Sequence, residues 1–157
     1  MKHSEALSKK QSPKTSKIPF FILVVSVIGF FDALYLTINH FTNSSLECLI
    51  FTGCDTVTKS QYAYFLGIPV AAIGAVYYFT VIVLSYLYFE TKNSTFLKIA
   101  LFPIFVSFLG SVWFVYVQAF ILKAFCTYCM LSALSSLTLA ILGIFWIKRL
   151  KYTDQRD

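Results

Sequence analysis

Four cysteines are the residues of this chain whose types and spacing could do chemistry, and they form two pairs. Cys48 and Cys54 stand close together in the first half of the chain. Cys126-Thr-Tyr-Cys129 is a C-x-x-C motif in the second half. A thiolate attacks a disulfide sulfur through a mixed disulfide, so two pairs that meet can pass electrons from one to the other. The elements around the pairs decide whether they meet.

The composition indicates a membrane protein. Hydrophobic residues make up 58% of the 157 residues and charged residues 13%, whereas soluble domains have roughly 45–50% and 25%. A spanning helix needs about 20 mostly apolar residues, and four segments supply them. We predict an all-α integral membrane protein, a four-transmembrane-helix bundle with spans at about 18–39, 68–89, 96–122 and 126–147.

These spans define one membrane domain over residues 18–147. Its outer loop, residues 40–67, is predicted to carry a short interfacial helix in the aromatic and apolar stretch 61–66. Pro69 is expected in the first turn of the second span, where its missing N–H costs nothing. The first span is longer than a signal-peptide core and shows no small-residue cleavage site, which favours a retained anchor.

The basic residues predict the orientation. All but two of the 13 Lys and Arg residues lie in the tails 1–17 and 148–157 or around the turn between spans two and three. Only Lys59 and Lys123 fall on the other side. Cytoplasmic loops hold an excess of such residues, so both termini are expected in the cytoplasm and all four cysteines on the extracytoplasmic face of the cell membrane. The net charge of +6 then reflects topology and contact with the lipid bilayer, and nucleic acid binding is not expected.

The position of the C-x-x-C motif favours a redox role. The motif begins the fourth span, where free backbone N–H groups and the positive end of the helix dipole stabilise a thiolate. The loop pair, Cys48 and Cys54, could swing between a soluble partner and this inner pair. Disulfides persist in extracytoplasmic compartments, so both pairs could cycle there.

Two other interpretations of the cysteines remain open. Both pairs could be structural disulfides in a non-catalytic membrane subunit or carrier. A four-cysteine zinc site is disfavoured because the first pair lacks tight ligand spacing and the compartment is oxidising. No metal site is predicted.

The run from Thr52 through Gly53-Cys54-Asp55 to Gly74, followed by Cys126-Thr-Tyr-Cys129, resembles the signature of the vitamin K epoxide reductase family. The resemblance extends over about Ile18 to Ile147. The other common bacterial four-span quinone reductase carries its C-x-x-C in the first outer loop, whereas here the motif begins span four. The order of the motifs therefore favours the vitamin K epoxide reductase type.

The resemblance implies an enzyme, a quinone-dependent protein-disulfide oxidoreductase that supports disulfide bond formation. Bacterial members oxidise a thioredoxin-like disulfide donor outside the cytoplasm and pass the electrons to a membrane quinone, here ubiquinone or menaquinone. By this resemblance Cys48 would exchange with the donor, and Cys54 would pass electrons to Cys126. Cys129 would then reduce the quinone, and Ser60 matches a serine at the family's quinone pocket.

Two departures from the family pattern refine this expectation. Many bacterial members carry a fused thioredoxin-like domain after the fourth span, but this sequence ends ten residues past Ile147. The donor is therefore expected to be a separate protein. Vertebrate members have a tyrosine four residues past the second C-x-x-C cysteine, and here that residue is Ala133. This difference counts against epoxide reduction and against binding of vertebrate-type inhibitors.

Two polar residues inside the spans are candidate quinone contacts. Asp32 is a carboxyl group within span one, a position where ionisable residues are costly and usually functional. In its neutral form it could donate a hydrogen bond. Gln118, near the outer end of span three, could hold a quinone carbonyl. Packing against neighbouring helices is the alternative role for both side chains.

Overall fold

Four long helices and a short extramembrane segment make up the chain in a computed structural model, which describes residues 17–42 and 53–154. The helices are α1 Ile18–Thr42, α2 Cys54–Thr58, α3 Val70–Thr91, α4 Ser94–Tyr116 and α5 Thr127–Asp154. All except α2 are long and apolar enough to cross a membrane, with α4 continuing to Leu122. The predicted fold class, a four-transmembrane-helix bundle, is confirmed.

The four long helices pack as a closed ring. The helix α1 contacts α3 and α5, and α4 contacts the same two helices from the other side. The buried core between them consists of apolar side chains from all four helices: Ile22, Ala33, Tyr78, Val81, Tyr88, Leu97, Ala100, Ile104, Leu139, Ala140 and Trp146. Large apolar side chains also cover the outer faces, such as Phe102 with 76% of its surface exposed. Lipid covers these faces in a multi-pass membrane protein, which explains the apolar composition.

A tyrosine and three serines join α3 to α5 within the bundle. The hydroxyl group of Tyr78 lies 2.6 Å from Ser135 Oγ and donates to the Ser132 carbonyl oxygen at 3.1 Å. Gly29 on α1 makes room for this ring, because a Cβ there would collide with Tyr78. Small residues let membrane helices approach closely, and here the Oγ atoms of Ser132, Ser135 and Ser136 also lie within hydrogen-bond distance of the tyrosine hydroxyl.

The outer segment differs from the prediction in two places. Residues 61–66 do not form a helix: Gln61–Ala63 make one 3-10 turn, and the strand β1 Tyr64–Phe65 pairs antiparallel with β2 Ile68–Pro69. The reason is the two-residue hairpin turn at Leu66 and Gly67, both with positive φ, of 52° and 81°, a conformation that reverses the chain. The short helix of this segment is instead α2. The hairpin is held to α1 by a 3.1 Å hydrogen bond between Tyr64 Oη and His40 Nε2.

The start of α3 and the end of α4 also depart from regular expectations. Pro69 precedes the first helical residue, Val70, instead of lying in the first turn, because it pairs with Tyr64 in the hairpin. Beyond Tyr116 the helix widens into a π-helical turn, Val117–Leu122, and ends at Lys123 in the left-handed conformation. Short π-helical turns are frequent at functional sites. This one leads directly to the C-x-x-C motif.

Candidate redox site

Cys126 occupies the N-cap position of α5, directly before the first helical residue, Thr127. Its carbonyl oxygen accepts the N–H of Met130 at 3.0 Å, and its Sγ accepts the N–H of Cys129 at 3.3 Å. An N-cap side chain normally uses an oxygen atom to accept this hydrogen bond. The C-x-x-C spacing lets a sulfur do so, because Cys129 is the third residue of the helix.

This environment favours the thiolate form of Cys126. The pKa of the Cys126 thiol is lowered from its ordinary value, chiefly because the Cys129 thiol donates a hydrogen bond to it. The backbone N–H groups of Cys129 and Tyr128 add to the lowering, while burial opposes it, as does Asp32 whenever its carboxyl group is ionised. Because the thiolate is the form that exchanges with disulfides, Cys126 is suited to that chemistry.

Gln118 holds the turn that leads to Cys126. Its side-chain oxygen Oε1 accepts the backbone N–H of Cys126 at 2.9 Å. Its own carbonyl oxygen accepts the N–H of Lys123 and, at 3.2 Å, that of Ala124. The Gln118 side chain is fully buried. One residue of the π-helical turn therefore fixes both the beginning and the end of the connection between α4 and α5.

The outer segment lies on this same turn. A Cβ on Gly53 would stand 2.9 Å from Ala124 Cβ and 3.0 Å from the backbone N and O of Phe125. Only glycine allows this approach, and the next residue, Cys54, begins α2. Cys54 and Cys126 are both fully buried and share one apolar cluster with Val57 and Leu36. The tertiary structure thus brings together one cysteine from each pair.

The cysteines differ in their bonding. Cys54 is disulfide-bonded, whereas Cys126 and Cys129 are free thiols. Cys129 is partly buried and packs against the cluster that contains Cys54 and Cys126. Cys48 lies outside the described residues.

Several aromatic and apolar side chains around the cysteines were not identified from the sequence. Phe114 and Leu122 pack against the cysteine cluster from the end of α4. Tyr128, inside the C-x-x-C motif, also packs there, and its ring lies 5.0 Å from that of Tyr35 on α1. The position of Tyr128 between the cysteines was a signal that could have been used. Nothing in the sequence distinguishes Tyr35 or Phe114 from the many aromatic residues that face lipid.

The described residues contain no metal site, and their groove lies away from the cysteines. Within 17–42 and 53–154, no group of three His, Cys, Asp or Glu side chains is arranged to hold a metal ion. A groove of about 490 Å³ lies at the far end of α5, lined by residues that include Leu142 and Lys148. It is too far along the helix from Cys126 to serve the cysteines.

The comparison with known families agrees with this arrangement. The sequence profile described as the Vitamin K epoxide reductase family matches residues 20–144, which include all four long helices for most of their length and all four cysteines. The chain belongs to the vitamin K epoxide reductase family. Among curated proteins, none matches the sequence. Family membership makes this protein a membrane oxidoreductase of a type that works with thiols and a quinone.

Two buried polar groups beside the cysteines are compatible with the quinone of the vitamin K epoxide reductase family. Gln118 Nε2 is a buried hydrogen-bond donor that meets no acceptor within the described part of the chain. Neither carboxyl oxygen of Asp32 has a partner there either, although the residue is only 7% exposed. Buried polar atoms are nearly always hydrogen-bonded in native proteins. Three such atoms, on two side chains, therefore have no hydrogen-bond partner among the described residues.

Ser60, the position that resembles the family's quinone-pocket serine, has a local role in the structure. Its Oγ donates to the Val57 carbonyl oxygen at 2.7 Å, and it directly precedes the 3-10 turn that begins at Gln61. The hydroxyl oxygen can still accept a hydrogen bond, because a hydroxyl group has two lone pairs.

Proposed function

We propose that this protein oxidises an extracytoplasmic thioredoxin-like disulfide donor and passes the electrons through its two cysteine pairs to a membrane quinone. The observation that carries the proposal is the shared cluster of Cys54 and Cys126, with the free thiol of Cys129 beside it. This juxtaposition of cysteines distant in sequence serves an exchange between pairs. Two inert disulfides would not need it.

The first step takes place at the outer pair. A thiolate of the reduced donor attacks the Cys48–Cys54 disulfide at Cys48, and the second donor thiol then resolves the mixed disulfide. The donor leaves as a disulfide, and Cys48 and Cys54 become a dithiol. Two electrons and two protons have then moved from the donor to the outer pair.

The second step moves the electrons inward. The Cys54 thiolate attacks the Cys126 sulfur of the Cys126–Cys129 disulfide, and Cys129 departs as a thiolate that takes a proton. Cys48 then attacks Cys54, which restores the outer disulfide and releases Cys126 as a thiolate. The hydrogen bonds at the N-cap of α5 stabilise this leaving group. The described bonding state, with Cys54 oxidised and the inner thiols free, corresponds to the end of this step.

The inner dithiol then meets the quinone, which accepts two electrons and two protons when bound while the cysteines become a disulfide. Cys129 would present its thiol to the acceptor. Gln118 Nε2, which has no acceptor among the described residues, could donate a hydrogen bond to a carbonyl oxygen, and a neutral Asp32 could do the same. Ser60 is the remaining candidate contact. Ubiquinone and menaquinone both offer the carbonyl groups that such donors recognise.

The experiment that tests this function is anaerobic quinone reduction by the purified protein, driven by a reduced thioredoxin-like donor. We expect wild type to form quinol and Cys129→Ala to form none, because the inner disulfide cannot close without Cys129. Quinol formation by Cys129→Ala at the wild-type rate would contradict the scheme. No turnover by wild type with either quinone class and several donors would favour a non-catalytic subunit with structural disulfides.

A further inference from the structure

The orientation of the Gln118 side chain is fixed by its contact with Cys126. The backbone N–H of Cys126 is a donor, so the atom 2.9 Å away has to be the oxygen of the Gln118 amide and not its nitrogen. The nitrogen Nε2 therefore points elsewhere, and it has no partner within residues 17–42 and 53–154. One planar amide group holds the inner cysteine with its oxygen, and its nitrogen is a donor that meets no acceptor in the described part of the chain.

Gln118 holds the turn before Cys126 through both its backbone and its side chain. Residues 123–126 are outside the helices, and Lys123 has a positive φ of 47°. The Gln118 carbonyl accepts from Lys123 and Ala124, and its side chain accepts from Cys126. The position of the Cys126 sulfur over the first N–H groups of α5 is set by this turn.

We infer that Gln118 is a positioning residue: its Oε1 holds Cys126 at the N-cap of α5 and so tunes the thiolate, while its Nε2 connects the same amide to a bound acceptor. The second half of this inference rests on the proposed quinone reduction, whereas the first half does not. An acceptor carbonyl bound to Nε2 would shift the Gln118 amide, whose oxygen holds the backbone N–H of Cys126. Occupancy of the quinone site and reactivity of the inner thiol are then linked, and linkage of this kind is reciprocal.

Two substitutions separate this role from that of a simple quinone contact. Gln118→Met keeps the length of the side chain and removes both polar ends, and Gln118→Asn keeps the amide but shortens it by one methylene. Gln61→Met is the matched control, because Gln61 is exposed in the outer segment. The first readout is the pH titration of the Cys126 thiolate by its ultraviolet absorbance, without quinone or donor. It uses a Cys48→Ala, Cys54→Ala, Cys129→Ser background in which Cys126 is the single thiol.

Both Gln118 variants are expected to move the Cys126 titration midpoint upward, with a thiolate fraction roughly fivefold to tenfold lower at a pH well below the midpoint, as for the loss of one hydrogen bond. Gln61→Met should leave it unchanged. An unchanged midpoint in Gln118→Met and Gln118→Asn overturns the positioning role. This titration needs no turnover, so its outcome is independent of whether the proposed quinone reduction is correct.

The second readout is the kinetics of quinone reduction with all four cysteines present. A positioning residue that also binds the acceptor should raise KM for quinone and lower kcat when replaced. If KM for quinone rises while kcat and the Cys126 titration midpoint stay unchanged, Gln118 is only a quinone contact and the positioning role is wrong. Amide hydrogen exchange tests the inference on the wild type alone. The Cys126 N–H should be strongly protected because it donates to Gln118 Oε1. Exchange at the rate of an exposed peptide would overturn the inference.

Discussion

At the scale of single residues, the C-x-x-C motif acts here as a helix cap. Ser, Thr, Asp or Asn commonly fills the N-cap because its oxygen accepts a hydrogen bond from the helix start. Cys126 takes that position with sulfur, which accepts the N–H of Cys129 at 3.3 Å. The same geometry that begins the helix therefore stabilises a thiolate, and the structural and chemical roles of the residue coincide.

The reactivity of Cys126 should depend on the side chain at position 129. The Cys129 thiol donor is the largest cause of the lowered pKa of Cys126, so Cys129→Ala should shift the pH midpoint of Cys126 alkylation upward, and Cys129→Ser should shift it less. The measurement is the rate of iodoacetamide labelling across pH in the Cys48→Ala, Cys54→Ala background. Equal midpoints for the Ala and Ser variants would contradict a role for the side-chain donor.

The sign of the pH dependence follows from the direction of the shift. A lowered pKa gives more thiolate than an ordinary cysteine, whose pKa is 9.0, at pH values below that point. The ionised thiol also stabilises the folded state above the unfolded pKa, and this contribution disappears as the pH falls through the folded pKa. Labelling of Cys126 should therefore persist to lower pH than labelling of an unfolded control peptide.

At the scale of elements, a backbone contact brings the outer segment to the inner pair. Gly53 lies against the turn between α4 and α5, with no room for a Cβ beside Ala124 and Phe125. The helix α2 starts at the next residue and buries Cys54 and Val57 against the cluster of Cys126. A short helix that begins at a tight glycine contact thus holds Cys54 next to the inner pair.

Replacing Gly53 by Ala should slow exchange between the pairs. In a Cys48→Ala, Cys129→Ala background, Cys54 and Cys126 remain, and we expect them to form a disulfide because both lie buried in one cluster. Such a bond needs Cα atoms within about 7 Å of each other and Cβ atoms that point towards each other. The added Gly53→Ala should reduce its rate of formation several-fold, because the Cβ would displace α2 from the turn. Non-reducing gel mobility after maleimide labelling measures the yield.

Gly110→Ala is the control for that experiment. Gly110 lies within α4, and a Cβ there would meet no heavy atom within 4 Å. It should leave the rate of disulfide formation unchanged. The absence of any Cys54–Cys126 disulfide in the Cys48→Ala, Cys129→Ala background itself would contradict the inward electron step.

At the scale of the whole molecule, the connection from α3 to α4 and the connection from α4 to α5 lie at opposite ends of α4. Lys92 is exposed in the connection between α3 and α4, and Lys123 is exposed in the one between α4 and α5. Because α4 is long enough to span a bilayer, these residues should face opposite sides of the membrane. We predict that the side of Lys92 is cytoplasmic, because cytoplasmic loops hold an excess of basic residues.

Labelling from one side of the membrane checks this orientation. In a cysteine-free variant, Lys123→Cys should react with a membrane-impermeant maleimide in intact cells, whereas Lys92→Cys should react only after permeabilisation. The opposite pattern would place the cysteine pairs in the cytoplasm and remove the extracytoplasmic donor from the scheme. Labelling of both from outside would mean that α4 does not span.

Much of the architecture could be predicted from the sequence because the signal is strong and local. Four apolar stretches of spanning length can be satisfied only as membrane helices, and the structure has four helices long and apolar enough to cross a membrane. The C-x-x-C motif at the start of α5 identified the inner pair because it, too, is a strong signal within a few residues of sequence. The outer segment was harder: the hairpin at Leu66 and Gly67 replaced an expected helix, since a two-residue turn with positive φ dominates a weak helical pattern.

What the amino-acid sequence determined by itself was the membrane class, the number of spans and the identity of the cysteines, because each follows from residue type and spacing along the chain. Only the tertiary structure decided that Cys54 shares a buried cluster with Cys126, that Gly53 rests on the turn at Phe125, and that Gln118 holds Cys126. These contacts join residues far apart in sequence, or depend on a π-helical turn that no local sequence pattern predicts. Their geometry arises when the helices close into a ring and the outer segment folds onto one end of it.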